Sequence, residues 1–326
     1  MSRDARSVWQ GRVDAADGDA GLRWHQIVEP WRKGAPRGVA LLGFASDEGV
    51  RRNQGRAGAA QGPQALRCTL ANLPVHSRFA LYDAGDVVCD NGALEAAQDV
   101  YAARAAALLD EGHLVVGLGG GHEIAWASYL ALARSRAMKA AGARLGILNF
   151  DAHFDLRRDA RSTSGTPFLQ ALDHAAANGL AVEYRCLGVS EAANTRALFD
   201  RARERGVAFR RDDELTLLAL DARIAELADW LRTIDPLYLT VCLDVLPAAV
   251  APGVSAPAAR GVALDVLEPL IALAAGSGKL RLADLAELCP PFDIDQRTAR
   301  VAARIAWRIV QASFDAAPNP SCASTC

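Results

Sequence analysis

The chain has 326 residues, of which 51% are hydrophobic and 23% are charged. Disorder of the whole chain is excluded, because this composition offers enough apolar surface to offset the entropy lost on folding. Lys and Arg number 36 against 38 Asp and Glu, for a formal net charge of -2, which gives no support to nucleic acid or an anionic membrane as the main partner.

Short apolar runs alternate along the chain with longer Ala-, Leu- and Arg-rich stretches of helical period, and these patterns predict strands and helices respectively. In chain order we expect a strand at 39–45, a helix at 93–112, a strand at 114–119, a helix at 123–142, strands at 145–150 and 184–189, a helix at 191–206, a strand at 237–244, a helix at 263–275, a strand at 281–288 and a helix at 296–314. The strands are almost continuously hydrophobic, as in a parallel sheet that helices cover on both faces. We predict one α/β domain over residues 1–326, with 1–20 and 315–326 peripheral.

The chain shows no targeting or membrane-spanning segment. Its first residues lack the apolar core of a signal peptide, and the most apolar stretch, 114–133, contains His122 and Glu123, which would be costly inside a bilayer. Seven cysteines occur without a CxxC pair, which argues against a disulfide framework or a zinc ribbon. We therefore expect a cytoplasmic protein. The Ala-rich helix at 296–314 suits either a sheet face or the interface of a homo-oligomer.

Four polar segments each lie at the end of a predicted strand, where open α/β sheets bind their ligands. They are GGGHE at 119–123, DAHFD at 151–155, TVCLD at 240–244 and LAELCPP at 285–291. Each has a structural alternative when taken alone. The glycines suit a tight turn, and they lack the Lys-Ser/Thr pair of a phosphate loop. Asp151 and Asp244 suit caps, Cys242 suits a small buried hydrophobe, and Glu287 suits a helix cap or a position on the surface.

Taken together, the segments favour a metal centre. Asp151, His153 and Asp155 share one face of an extended chain, and two carboxylates with an imidazole at the end of a buried strand require a cation. Oxygen-rich ligation with some imidazole suits Mn²⁺, Mg²⁺ or Zn²⁺. With His122 and Asp244 the set exceeds what one small cation needs, and it predicts two metal ions that lower the pKa of water and supply hydroxide.

These motifs resemble those of the ureohydrolase (arginase/agmatinase) superfamily, whose members carry GGxH, DAHxD, and DxD followed by APG. The sequence has GGGHE, DAHFD, and CLD followed by APGVSAP at 251–257, and the segments 47–63 and 284–293 are also similar. The resemblance covers nearly the whole chain. It implies a three-layer arginase-like fold with a mostly parallel central sheet and two Mn²⁺ ions, with Asp151 bridging them. The implied ligands are His122, Asp151, His153, Asp155 and Asp244.

Within the superfamily, the segments 47–63, 151–157, 162–168 and 251–257 look like those of members that hydrolyse N-formimidoyl-L-glutamate to L-glutamate and formamide in histidine degradation. The resemblance implies that Glu287 holds the cationic formimidoyl nitrogen, and we expect proton transfer to the leaving group through Asp155. Arg157 is the best candidate for clamping a substrate carboxylate, with a solvated arginine as its alternative. Asn53, Arg56 and Ser164 are weaker candidates for substrate contact.

Two positions depart from the superfamily pattern. Cys242 stands where a second bridging Asp is usual, and we predict that it is a ligand although a thiolate favours Zn²⁺ over Mn²⁺, which puts the filling of one metal site in question. The segment 162–168 lacks the His that other members are thought to use as a proton shuttle, and His174 falls in a helical run and is predicted to lie on a helix surface. Two alternatives stay open: a ureohydrolase acting on arginine, agmatine or guanidinobutyrate, and a metal-free binding or regulatory paralogue.

Overall fold

The computed structural model of the protein describes residues 8–140 and 142–315. Its centre is a nine-stranded sheet in which all neighbouring strands are parallel. The strands are β1 (Val28–Pro30), β2 (Val39–Ala45), β3 (Leu81–Val88), β4 (Leu114–Leu118), β5 (Arg144–Phe150), β6 (Ala181–Val189), β7 (Ala208–Arg211), β8 (Leu237–Cys242) and β9 (Leu280–Ala286). The predicted parallel sheet is confirmed.

Helices cover both faces of this sheet. They are α1 (Trp24–Ile27), α2 (Glu48–Arg52), α3 (Gly62–Leu70), α4 (Leu94–Asp110), α5 (Ile124–Arg134), α6 (Pro167–Ala177), α7 (Arg196–Glu204), α8 (Leu220–Leu231), α9 (Leu264–Ala275) and α10 (Arg297–Asp315). Buried residues of α3, α8, α9 and α10 form the core on one face, and those of α4 to α7 form the core on the other. Every residue of β8 is buried, because both of its faces are covered.

The order of the strands determines which strand ends lie next to one another. Along the sheet it runs β1-β3-β2-β4-β9-β8-β5-β6-β7. The chain thus passes from β4 to β5 and leaves a space between them, which β8 and β9 fill last. The carboxyl ends of β4, β9, β8 and β5 therefore lie side by side, at the kind of topological switch where α/β sheets bind ligands.

Two predicted helices are shorter than expected. The helix predicted at 123–142 ends at Arg134, because Ser135 is extended and a single 3₁₀ turn follows. The helix predicted at 191–206 begins only at Arg196, after an extended Thr195. The predicted peripheral tail lies outside the described residues from 316 onward, and no helix in the described part of the chain is long and apolar enough to cross a membrane.

Candidate active site

The four polar segments meet at the carboxyl edge of the sheet. His122 follows β4 after three glycines, Asp151 directly follows β5, Cys242 ends β8, and Glu287 directly follows β9. All four side chains are buried. Because these strands are neighbours in the sheet, groups far apart in sequence come within hydrogen-bonding distance, such as the backbone N–H of His122 and the side chain of Glu287, which are 165 residues apart.

Two groups of potential metal ligands lie at this edge and share one residue. His122, Asp151 and Cys242 form the first group, and Asp151, His153 and Asp244 form the second. Within each group the ligand atoms all lie within 4.8 Å of one another. Asp151 therefore stands between the groups, in the place that a carboxylate bridging two cations would take.

Asp155 faces the first group from the far end of its segment. Its Oδ2 atom lies 2.9 Å from Nδ1 of His122, and Oδ2 of Asp151 lies 3.0 Å from the same nitrogen. This nitrogen is buried and makes no hydrogen bond of normal geometry with the described residues. A buried imidazole nitrogen without a hydrogen bond, beside two carboxylates, fits a divalent cation that all three groups coordinate.

Burial and charge couple the groups of the site. Burial opposes ionisation of Asp151, but the adjacent imidazoles of His122 and His153 outweigh it and hold the Asp151 pKa below its usual range. Burial and the neighbouring charge of Asp151 raise the pKa of Asp155 to about 6 and also raise the pKa of Asp244. Burial disfavours charged imidazoles, yet the adjacent carboxylates raise the pKa of both histidines well above its usual value. The two imidazoles thus compensate part of the negative charge.

A hydrogen-bonded chain behind the site fixes the ring of His122. Its Nε2 atom lies 3.0 Å from Oγ1 of Thr240. Thr240 of β8 lies opposite Asp284 of β9 in the sheet. Asp284 accepts hydrogen bonds of 2.6 Å from Ser128 and 2.7 Å from Tyr238. The ring is therefore held with Nδ1 toward the carboxylates, and such support is usual for a histidine that binds metal.

Glu287 faces the cavity from the end of β9. Its φ of 73° is positive, a costly conformation for an L-residue that the surrounding structure has to impose. Oε1 accepts a 2.7 Å hydrogen bond from the backbone N–H of His122, and Oε2 has no partner among the described residues. Burial, with the charge of Glu123, raises the Glu287 pKa to about 8. Such an oxygen marks a place for a cationic or hydrogen-bond-donating group.

A cavity of about 260 Å³ opens above these residues. Its walls combine the polar edge of the sheet with three loops, at 53–55, 157–164 and 255–256. The lining residues are Asn53, Gln54, Gly55, His122, His153, Asp155, Arg157, Ser164, Asn194, Leu198, Cys242, Asp244, Ser255, Ala256 and Glu287. The volume suits a small molecule, and most of the lining is polar.

The arginase family model matches residues 37–311 of the chain, a span that includes every strand from β2 to β9. The chain belongs to the arginase family. The predicted arginase-like fold and the resemblance on which it was based are therefore confirmed.

Relatives named formimidoylglutamase are similar to this chain over most of their length. A formimidoylglutamase of Ralstonia nicotianae is 55% identical over 307 residues, which cover 93% of this chain and 94% of that protein. A formimidoylglutamase of Aeromonas hydrophila is 54% identical over 308 residues, which cover 94% and 97% of the two chains.

Solved structures of the family show the same architecture. A crystal structure of Trypanosoma cruzi formiminoglutamase with two Mn²⁺ ions has a TM-score of 0.75 and 26% identity, and the match covers 85% of this chain and 93% of that one. Formimidoylglutamase of Bacillus subtilis superposes with a TM-score of 0.82 over 96% of each chain, but at 23% identity this likeness concerns the fold alone.

Arg157 reaches the mouth of the cavity in this arginase-family chain. Its backbone N–H donates a 2.8 Å hydrogen bond to the carbonyl of Gly165, and its side chain passes so close that a Cβ atom on Gly165 would lie 2.8 Å from Cδ of Arg157. Asn53 donates a 3.1 Å hydrogen bond to Ser164 on the same wall. The guanidinium of Arg157 has no carboxylate partner in the described part of the chain, so it is available to a ligand.

Arg56 lies apart from the cavity lining. Its guanidinium donates to the carbonyls of Pro252, Val254 and Ser255 and lies 4.3 Å from the ring centroid of Phe292. The residue thus joins the loop after α2 to the loop after β8. The structure supports a role in holding these loops together, and it gives the predicted substrate contact of Arg56 no support.

Several lining residues were not singled out from the sequence. Ser255 lies beside Glu287, whose pKa its hydroxyl lowers, and the APGVSAP segment that contains it was the available signal. Gln54 lies next to Asn53 with a positive φ of 62°. Asn194 follows β6, and no motif in the sequence points to it.

His174 lies on α6, outside the cavity lining. Its Nδ1 atom is 2.9 Å from the hydroxyl of Tyr129, and its ring packs edge-on against Tyr129 and Trp126. The side chain thus joins α5 to α6, in agreement with the predicted position on a helix.

A second, wider basin of about 570 Å³ adjoins the cavity through shared residues such as Asn53 and Arg157. Arg158 and Arg201 also line it, and in the described residues neither guanidinium has a carboxylate partner; Arg201 donates to the carbonyl of Leu156. The entrance to the cavity therefore carries arginine side chains, whereas carboxylates line its bottom.

Proposed function

We propose that this enzyme hydrolyses N-formimidoyl-L-glutamate to L-glutamate and formamide, as in histidine degradation, with two Mn²⁺ ions. The observation that carries the proposal is a cavity with carboxylates at its base and, at its mouth, guanidiniums that have no carboxylate partner among the described residues. The substrate has the matching polarity, because a cationic formimidoyl group is joined to a dicarboxylate. The activity predicted from the sequence is confirmed by relatives of the same name at 55% and 54% identity.

The base of the cavity would bind the formimidoyl end. Oε2 of Glu287 is buried and lacks a partner among the described residues, so an N–H group of the substrate would satisfy it. The hydroxyl of Ser255 lies beside this carboxylate. We assign Glu287 the role of orienting the planar formimidoyl group.

The mouth of the cavity would bind the glutamate end. Arg157 offers a planar guanidinium, whose geometry matches a carboxylate, and Asn53 with Ser164 offers polar groups on the same wall. Agmatine bears no carboxylate, whereas arginine and guanidinobutyrate each bear one, and the comparisons give no support to any of these guanidino substrates.

The metal pair would be held by the two ligand groups that share Asp151, with Asp155 beside His122. When bound, two divalent cations lower the pKa of water and supply hydroxide at neutral pH. Hydrolysis would require that water add to the formimidoyl carbon and that the bond from this carbon to the glutamate nitrogen break, with one proton passing from the water to that nitrogen. We propose that Asp155, which lines the cavity, carries the proton to that nitrogen, so that formamide and glutamate are released.

The direct test is an assay of the purified enzyme with added Mn²⁺. We expect formamide from N-formimidoyl-L-glutamate and no urea from arginine, agmatine or guanidinobutyrate. Arg157→Ala should raise KM for the acidic substrate about tenfold, which corresponds to the loss of a charge-assisted contact. Arg232→Ala serves as the control, because Arg232 lies at the exposed end of a remote helix. Urea from a guanidino compound, or no product from any of the four, would overturn the proposal. A cytoplasmic location and a homo-oligomeric state stay predictions from the sequence.

A further inference from the structure

We propose that Asn194 is a positioning residue, which holds the backbone of segment 151–155 in the path that presents its three metal-binding side chains. The inference rests on the proposed metal pair and assigns to Asn194 no contact with substrate. Its motivation is a set of hydrogen bonds between one buried side-chain amide and the backbone that separates the ligands.

The amide of Asn194 spans the segment between its ligand residues. Oδ1 accepts a 3.1 Å hydrogen bond from the backbone N–H of Phe154, and Nδ2 donates 2.8 Å hydrogen bonds to the carbonyls of Ala152 and Ser190. Ala152 and Phe154 are the two residues that alternate with Asp151, His153 and Asp155. Asn194 therefore contacts the segment through the backbone positions whose side chains point away from the metals.

Both functional groups of this amide are already in use. The two N–H bonds of Nδ2 are directed at two carbonyls, and Oδ1 has accepted a backbone N–H. Although Asn194 lines the cavity, it has no donor left for a substrate carboxylate. Asn194 lies at the wall of the cavity because it is hydrogen-bonded to segment 151–155.

The rest of the segment is held in the same way by β6 and the turn after it. The hydroxyl of Tyr184 donates a 3.0 Å hydrogen bond to the carbonyl of Phe154, and the thiol of Cys186 donates to the carbonyl of His153. The backbone N–H of Ser190 donates to the carbonyl of Ala152. These contacts hold the residues that precede Asp155, whose φ is 49°, a conformation that an L-residue rarely adopts.

Asparagine suits this role because it is a donor and an acceptor at once. An aspartate would keep the acceptor for Phe154 but place a negatively charged oxygen against the carbonyls of Ala152 and Ser190. Alanine would leave the backbone N–H of Phe154 without a partner and would remove one of the two donors to each of the carbonyls of Ala152 and Ser190, which also accept from Ser190 and Ala193. Either change should release the segment and weaken its hold on the metals.

The test measures Mn²⁺ affinity as well as turnover. Wild type, Asn194→Asp, Asn194→Ala and Tyr184→Phe are freed of metal with a chelator and titrated with Mn²⁺, with free Mn²⁺ followed by electron paramagnetic resonance. We expect Asn194→Asp to bind Mn²⁺ at least tenfold more weakly, as is usual when support behind metal ligands is removed. KM for substrate at saturating Mn²⁺ should stay within twofold of wild type. Tyr184→Phe, which removes only a hydroxyl, should change Mn²⁺ affinity in the same direction.

Gln311→Ala is the matched control, since it removes a buried amide that bonds to Ser77 far from the site. A loss of Mn²⁺ affinity in Asn194→Asp no greater than in Gln311→Ala would overturn the inference. If Asn194→Asp does not fold, Tyr184→Phe decides, and wild-type Mn²⁺ affinity in that variant would overturn the inference too. Failure of the wild type to bind Mn²⁺ at all would instead overturn the proposed function on which the inference rests.

Discussion

At the scale of single residues, Cys242 is the position where we expect, from the sequence, a departure from the superfamily pattern. Its side chain is 1% exposed and belongs to the first ligand group, with His122 and Asp151. Burial, reinforced by nearby carboxylates, raises the pKa of the thiol. The thiol therefore stays protonated until a cation stabilises the thiolate.

Cys242→Asp should narrow the difference in affinity between the two Mn²⁺ sites, because a carboxylate is a better ligand than a thiol for a hard cation. Calorimetric titration of the metal-free enzyme would show two unequal Mn²⁺ affinities in wild type and more similar ones in the variant. Cys289→Ala, a buried thiol outside both ligand groups, should titrate like wild type. Identical binding curves for wild type and Cys242→Asp would show that Cys242 is not a ligand.

Gly165 offers a test of Arg157 that leaves the arginine itself unchanged. A Cβ atom there would lie 2.8 Å from Cδ of Arg157 and 3.2 Å from Nδ2 of Asn53, so Gly165→Ala should displace the guanidinium. We expect KM for N-formimidoyl-L-glutamate to rise severalfold with little change in kcat. The control is a double-mutant cycle: in the Arg157→Ala background, Gly165→Ala should have no further effect on KM. Equal effects in both backgrounds would contradict the proposed role of Arg157.

The sequence was most informative about residues whose own side chains carry the chemistry. His122, Asp151 and Glu287 stand at predicted strand ends, and the parallel sheet brings these ends together. Asn194 was not predictable, because it acts on the backbone of a segment some forty residues earlier, and only the folded chain shows that contact. The contacts of Arg56 were not predictable for the same reason, since the carbonyls that bind its guanidinium are 196 to 199 residues away.

At the scale of elements, β9 carries a buried carboxylate through the middle of the sheet. Asp284 pairs with Gly117 of β4 and Thr240 of β8, and its Oδ1 atom has no partner in the described residues. Burial raises its pKa. The contribution of this group to stability is therefore fully present below its unfolded pKa and is lost as pH rises through the higher folded pKa.

Asp284→Asn should consequently stabilise the metal-free enzyme at neutral pH, by roughly 1–3 kcal/mol, because it removes a buried charge and keeps an acceptor for Ser128 and Tyr238. Urea denaturation at pH 5 and pH 8 would measure the free energy of unfolding. We expect the advantage over wild type to grow with pH. An advantage that is absent at pH 8, or greater at pH 5, would contradict this account.

The strands that the sequence did not predict are those with little burial or little apolar pattern. The edge strands β1 and β7 have three and four residues, and β3 has exposed or half-exposed residues among its apolar ones. All six predicted strands lie at or near the centre of the sheet, where continuous burial leaves a continuous apolar run. The helix predicted at 191–206 was too long because the turn that contains Asn194 is rich in alanine.

At the scale of the whole molecule, the metals should stabilise the fold, because their ligands come from three separate strands. The metal-free enzyme should melt at a lower temperature than the enzyme with Mn²⁺ at a hundred times its dissociation constant, where binding adds about 2.7 kcal/mol per site. Scanning calorimetry with and without a chelator would measure the difference. An unchanged melting temperature would show that the ligand groups do not bind Mn²⁺ in the native state.

The basic basin should also affect the rate of substrate capture. A substrate of net negative charge approaches through a surface bearing Arg157, Arg158 and Arg201, so kcat/KM should fall as ionic strength rises. Arg158→Ala should make this dependence shallower without changing kcat. A kcat/KM that does not respond to salt would mean that the basin takes no part in capture.

The order of the strands has a consequence for how the enzyme is made. Strands β4 and β5 are synthesised early, but β8 and β9, which separate them, are near the end of the chain. While β9 is still inside the ribosome, Glu287 cannot reach the site. The edges of β4 and β5 that β9 and β8 will cover then stay unpaired. Metal can be held by both ligand groups only after β8 is in place, and the cavity is complete only after β9. Metal content therefore reports whether a molecule has finished folding, and truncated copies cannot acquire a complete site.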